Sequence, residues 1–207
     1  MTLEITPITL NKEKKNFLED VVWGLSQPQK QLACKYFYDE RGSKLFDDIC
    51  RLEEYYPTRT ETALLQKYGK EIANYIGSKV CLIEYGCGSL VKTRILIDAL
   101  DRPFLFIPID ISEEHLLRAS QNLAKQYQKL KVLPQVADFT KSMVLPRQAR
   151  SKNNKCVGFF PGSTIGNFNP TEAIKFLRGI SKTVGQNGGL LIGVDLKKDT
   201  EILVRAY

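Results

Sequence analysis

A chain of 207 residues, 43% hydrophobic and 26% charged, is long enough to bury a full core as one domain or at most two. Its net charge of +7 raises a nucleic-acid partner, but the lysines are scattered and none of the basic stretches is interleaved with aromatics, so no nucleic-acid binding is expected. No apolar run approaches the ~20 residues of a membrane helix, and "MTLEITPITLNKEKK" lacks the apolar stretch of a signal peptide, so no membrane association is expected. Five cysteines (34, 50, 81, 87 and 156) without a C-x-x-C pair read as reduced thiols in a cytoplasmic protein. The single histidine, His115, excludes a histidine-rich metal site, so no metal is expected; preceded by Ser112, Glu113 and Glu114, it is assigned to the surface at a helix start.

Residues 1–78 show helical periodicity and turn signals but no buried strand. "NFLEDVVWGL" spaces Phe17, Val21, Val22 and Leu25 on one helical face. "GSKLFDDICRL" does the same with Leu45, Phe46, Ile49 and Leu52, with Ser43 as the N-cap. In "EEYYPTR", Pro57 should break the helix and leave two tyrosines on a loop. "TETALLQKYGKEIANYI" then carries Leu64, Leu65, Tyr68, Ile72 and Ile76 at helical spacing.

From residue 79 the texture changes. Apolar runs at 79–85, 104–110, 130–139, 155–162 and 189–196 alternate with helices expected at about 92–100, 113–128 and 171–185; the stretch after the third run fits no element. Strand then helix, repeated at this spacing, indicates an α/β fold with a parallel sheet flanked by helices. Continuous rather than alternating hydrophobicity agrees, because such strands are covered on both faces. Two regions follow: a mainly helical 1–78 and a sheet-bearing 79–207.

The first run leaves through "EYGCGSLVKTR", and in open α/β sheets the ligand sits beyond the carboxyl ends of the strands. Gly86 and Gly88 remove side chains where the chain turns sharply and a ligand approaches the backbone. A phosphate loop or a dinucleotide fingerprint needs a glycine at position 91, which is Val91. What remains is acid-x-Gly-x-Gly, which suits a nucleoside with an amino-acid tail better than a pyrophosphate. Asp110 ends the second run, where an acid meets ribose hydroxyls. Asp138 and Phe139 end the third: an acceptor for an exocyclic adenine amine beside a ring that packs on the base. Glu84 suits a cationic α-amine. Acids also follow strands simply because loops are polar; as a set, with no basic partner for a diphosphate, these three describe an S-adenosylmethionine pocket. Lys92 either reaches the carboxylate of that cofactor or is solvated. In "FFPGSTIGNF", Gly162 and Gly166 bracket a tight loop that presents Ser163, Thr164 and Asn167. Asn167 is either a carboxylate donor or a turn or cap residue.

With these residues, the segments "YFYDERGSKLFDDI", "EYYPTRTE", "EYGCGSLVKTR", "FIPIDIS", "ADF", "GSTIGNFNP" and "VDLKKDTEILVRAY" resemble the histidine-specific, S-adenosylmethionine-dependent methyltransferase family, from about Tyr36 to the last residue. The resemblance implies a Rossmann-like class I methyltransferase core with an N-terminal helical substrate-binding region. It implies a free amino acid as small-molecule substrate, methylated on its α-amine, with histidine going to its trimethylated form, hercynine, in ergothioneine biosynthesis. It implies that Gly86, Lys92, Asp110, Asp138 and Phe139 hold the cofactor, that Tyr38 lies by the substrate amine, that Tyr55 ahead of Tyr56 holds the substrate ring, and that Asn167 and Tyr207 grip its carboxylate. Relatives of this family act on other amino-acid amines. The family's chains are also longer, so the C-terminal part of the fold is expected to be missing. That implies an unpaired sheet edge open to association, weak S-adenosylhomocysteine binding and little turnover; the rival reading is a cofactor-binding chain without activity.

Overall fold

The computed structural model describes residues 10–141, 143–149 and 155–206, with side chains from Phe17 onward. Three helices precede the sheet: α1 (Leu10–Ser26), α2 (Glu40–Ile49) and α3 (Tyr56–Ile76). The sheet then alternates with helices: β1 (Val80–Tyr85), α4 (Val91–Ala99), β2 (Leu105–Asp110), α5 (Glu113–Gln126), β3 (Lys131–Val132), β4 (Gln135–Val136), β5 (Lys155–Phe160), α6 (Pro170–Val184), β6 (Gly189–Ile192) and α7 (Thr200–Ala206).

All pairings are parallel, in the order β3-β2-β1-β5-β6, with β4 also against β2. β1 is central: its six residues are all buried and both its edges are bonded. Leu82, Phe106, Val157 and Phe159 face α3, α4 and α5; Ile83, Tyr85, Ile107 and Phe160 face α6 and the segment around Leu145. Gly158 sits where α6 comes close, since a Cβ there would lie 3.2–3.3 Å from Leu190, Ile180 and Tyr85 side chains. From β1 the chain builds outward to β2, β3 and β4, then returns to place β5 on the other side. The carboxyl ends of β1 and β5 therefore flank the point where the winding reverses, the place where such sheets hold ligands.

The run 130–139 is two short strands rather than one. Leu105 and Phe106 of β2 pair with β3, Ile109 and Asp110 pair with β4, and the ladder lapses between them. Pro108 and Pro134 fall in that interval, and neither has an N–H to donate.

Three local expectations are corrected. The cap of α2 is Asp39, whose carboxylate accepts from Gly42 N at 2.7 Å, while Ser43 lies inside the helix, buried. Pro57 begins α3 instead of breaking a helix, because in the first turn its missing N–H would have had no partner; Tyr56 is therefore helical. His115 is buried at 5% exposure and not at the surface, its Nε2 without a hydrogen-bond partner among the described residues, on a helix that packs against β2, β3 and α2. Phe17, Val22 and Leu25 on α1 and Leu45 and Ile49 on α2 are exposed, as is Leu52 beyond the end of α2.

α6 opens with Asn169 accepting from Glu172 N at 2.9 Å while Glu172 accepts from Asn169 N at 3.0 Å. This reciprocal pair satisfies two amides that the helix leaves free. Asn169→Ala should lower the unfolding free energy by about 1 kcal/mol, read from the midpoint shift in urea denaturation.

Candidate active site

The turn after β1 is built by its glycines. Gly86 and Gly88 have φ of 73° and 50°, and the non-glycine Leu90 has 60°. A Cβ on Gly86 would sit 3.2 Å from the Phe139 ring, whereas one on Gly88 would meet nothing within 4 Å. Phe139 thus closes one side of the turn and open space lies over the other. A bulky nucleoside fits this donor set: exposed backbone, a flanking ring, and a carboxylate at the next strand end. That carboxylate is Asp110. Its Oδ2 accepts from Gly88 N at 3.3 Å and its Oδ1 from Ser112 N at 3.0 Å, so it is fixed against the turn.

Glu84 and Asp138 are held differently. Glu84 is 1% exposed, beneath the turn, and accepts from Thr93 Oγ1 at 2.5 Å. Burial pushes its carboxyl up to about 8, against the pull of Thr93 and the nearby Lys92 ammonium. Asp138 accepts from Thr140 N at 3.0 Å and from Lys35 Nζ at 3.2 Å. Burial raises its pKa, but the Thr140 hydrogen bonds and the Lys35 ammonium outweigh this and hold it below the usual carboxylate range. The three acids therefore have separate hydrogen-bond partners; Glu84 is sealed, while the other two are part-buried.

A second feature adjoins the turn. A cleft of about 360 Å³ lies between α3 and the ends of β5 and β6, lined among others by Tyr56, Glu61, Tyr68, Gly162, Ser163 and Asp195. Ser163 adopts φ 55°, a left-handed conformation rare for a residue with a side chain, and its Oγ accepts from Asp195 N at 3.0 Å. The Tyr56 hydroxyl donates to Asp195, which also pairs with Lys198, and the Lys198 ammonium sits 4.7 Å from the Tyr56 ring centre. The Asp195 hydrogen bond, then burial, raise the Tyr56 pKa. Lys92, second residue of α4, connects the turn to this cleft through an ion pair with Glu61 at 2.6 Å.

Of the residues assigned to the substrate, Tyr56 rather than Tyr55 lines this cleft. Tyr55 is buried, one step in a ring series: Tyr38 to Phe46 at 5.6 Å, then Phe46 to Tyr55 at 6.0 Å. Asn167 is exposed at the end of a 3-10 turn, Thr164–Asn167, and the cap of α6 is Asn169. Thr164 turns its hydroxyl back to Pro161 O at 2.9 Å. Tyr207 lies outside the described residues. Glu61 and Asp195 went unassigned in the sequence. Glu61 stands in "YPTRTE", one of the stretches that carry the family resemblance, but nothing in that stretch announces a partner 101 residues away.

A parallel α/β sheet with a glycine turn after its central strand and an acid at the end of the next strand is a Rossmann-like nucleoside-binding arrangement, one that class I methyltransferases share. A solved relative in fold, a putative S-adenosyl-L-methionine-dependent methyltransferase from Methanococcus maripaludis, superposes with a TM-score of 0.50 at 18% identity, covering 83% of this chain and 68% of its own. The chain itself belongs to the family described as "Histidine-specific methyltransferase, SAM-dependent", whose model matches residues 17–207. It is 40% identical over 192 residues to the histidine N-alpha-methyltransferase of Mycolicibacterium smegmatis, covering 91% of this chain and 58% of that protein. It is 36% identical to ergothioneine biosynthesis protein 1 of Neurospora crassa, covering 86% of this chain and 20% of that protein. The chain thus spans little more than half the length of the mycobacterial relative. No described helix is long and apolar enough to cross a membrane, and no described group of His, Cys, Asp and Glu could hold a metal.

Burial of Glu84 has a consequence for stability. Folded, it keeps its proton up to about 8, whereas an unfolded chain releases it near the ordinary carboxylate value. The folded state thus binds more protons between those values, and stability should fall as pH rises through that window, by up to ~1.4 kcal/mol per pH unit. Glu84→Gln should flatten that slope when thermal unfolding is followed from pH 5 to pH 8.

Proposed function

We propose that the turn and the adjoining cleft are the cofactor and amine sites of a methyltransferase that trimethylates the α-amine of histidine to hercynine. The observation that carries this is the Gly86–Gly88 turn with Asp110 fixed against it and Phe139 beside it, in a chain 40% identical to a histidine N-alpha-methyltransferase. The helices before residue 79 contribute the substrate side.

S-adenosylmethionine, when bound, supplies an electrophilic methyl group on a sulfonium. The chain's part is to hold and align. Asp110 accepts from the ribose hydroxyls, Asp138 accepts from the adenine amine, and Phe139 packs on the base. Gly86 and Gly88 let the nucleoside approach the backbone, and Lys92 holds the methionine carboxylate. Glu84, which the sequence assigns to the cofactor's ammonium, is sealed beneath the turn and bonded to Thr93, so it supports the turn from below instead of touching the cofactor. Of the residues that the family resemblance assigns to the substrate, Tyr56 lines the cleft and supports the ring, while Tyr38 is assigned to the amine, Tyr55 to the ring, and Asn167 and Tyr207 to the carboxylate on the resemblance alone. Attack requires a neutral amine. The α-amine of a free amino acid, beside its own carboxylate, is almost wholly protonated at pH 7, so the site must take its proton away as well as align it with the methyl group.

Asp110→Asn should weaken S-adenosylhomocysteine binding about tenfold or more, read by titration calorimetry, because the ribose loses an ionised acceptor. Incubation with S-adenosylmethionine and single amino acids, followed by mass spectrometry, should show methyl groups accumulating on histidine up to three. Transfer to another amino acid in place of histidine would refute the substrate assignment.

A further inference from the structure

We infer that Glu61 is a positioning residue that sets Lys92 for the carboxylate end of the cofactor; this rests on the cofactor reading above. The Glu61 carboxylate accepts from Lys92 Nζ at 2.6 Å and from Gly162 N at 2.8 Å through Oε2, and again from Gly162 N at 3.0 Å through Oε1. Both side chains are largely shielded, at 16% for Glu61 and 18% for Lys92. One carboxylate from α3 therefore ties down the start of α4 and the loop leaving β5.

Two glycines shape the surroundings of that carboxylate. At Gly193, just past β6, a Cβ would collide with Glu61 Oε1. At Gly162, with φ 83°, a Cβ would lie 3.4 Å from Lys92 Nζ. A solvated surface pair requires no such clearance. Lys92 also sits in the first turn of α4, where the helix dipole opposes a cation. Glu61 offsets that opposition and selects one direction for a long, otherwise mobile side chain. An ammonium has three N–H groups; the one given to Glu61 leaves two for an anion. The carboxylate's own charge opposes an incoming anion, so its benefit lies in placing Lys92, and that benefit is confined to ligands with a carboxylate tail.

The test compares S-adenosylhomocysteine with 5′-methylthioadenosine, which lacks the amino-acid tail, by calorimetric titration of the wild-type chain, Glu61→Gln, Glu61→Asp and Lys92→Met. Gln keeps an oxygen for Gly162 N–H and removes only the charge. Glu61→Gln and Lys92→Met should each weaken S-adenosylhomocysteine about tenfold and leave 5′-methylthioadenosine within about twofold, with the double variant no weaker than Lys92→Met alone. Glu61→Asp should fall between wild type and Glu61→Gln, which keeps the comparison readable if Glu61→Gln folds poorly. Equal losses for both ligands, or unchanged or tighter S-adenosylhomocysteine binding in Glu61→Gln, would overturn the inference. A wild-type chain that binds neither ligand would instead overturn the cofactor reading on which it stands.

Discussion

β1 is bonded along both edges and covered on both faces, and its chain leaves the sheet at the carboxyl end through a turn whose glycines take positive φ. At Gly86 the Phe139 ring would crowd a Cβ at 3.2 Å, and Gly86 N donates to Ile109 O at 2.8 Å, tying the turn to the end of β2. Asp110 follows immediately and receives Gly88 N. The turn, the Asp110 carboxylate and the aromatic wall thus meet at one place: the exit of a buried central strand beside the end of its neighbour β2, on which β4 also ends.

Electrostatics then sorts the carboxylates by depth. Glu84 is sealed away and holds its proton because no ion pair reaches it strongly enough to offset burial. Asp138, shielded to a similar end but supplied with Lys35 and Thr140, stays ionised. Glu61 has an ammonium and an amide to itself. A net charge of +7 is therefore a poor guide to the site, where Lys35 lies between Asp20 and Asp138 and Lys92 is paired with Glu61.

Much of the sheet was legible because parallel strands advertise themselves. "VCLIEY" and "LFIPID" are continuous apolar runs, since both faces are covered, and each became a strand within a residue of its expected limits. The acid-x-Gly-x-Gly turn was legible for the same local reason, a strand followed by residues that tolerate positive φ. His115 was misread because its burial is tertiary: α5 packs on β2, β3 and α2, and nothing in the residues around His115 announces those neighbours. Ser43 lost the cap to Asp39 because cap identity depends on where helical backbone begins, which periodicity leaves uncertain by a few residues.

By itself the sequence determined the fold class, the position of the glycine turn and the acids at the strand ends, because each is dictated by neighbours in the chain: burial on both faces, a tight exit, a polar residue where the strand stops. Only the tertiary structure decided which acid is protonated, that Tyr56 and not Tyr55 faces the cleft, and that Glu61 reaches Lys92 and Gly162. Those outcomes depend on distances between segments 30 to 100 residues apart, and on how much water remains between them. No local pattern encodes either quantity.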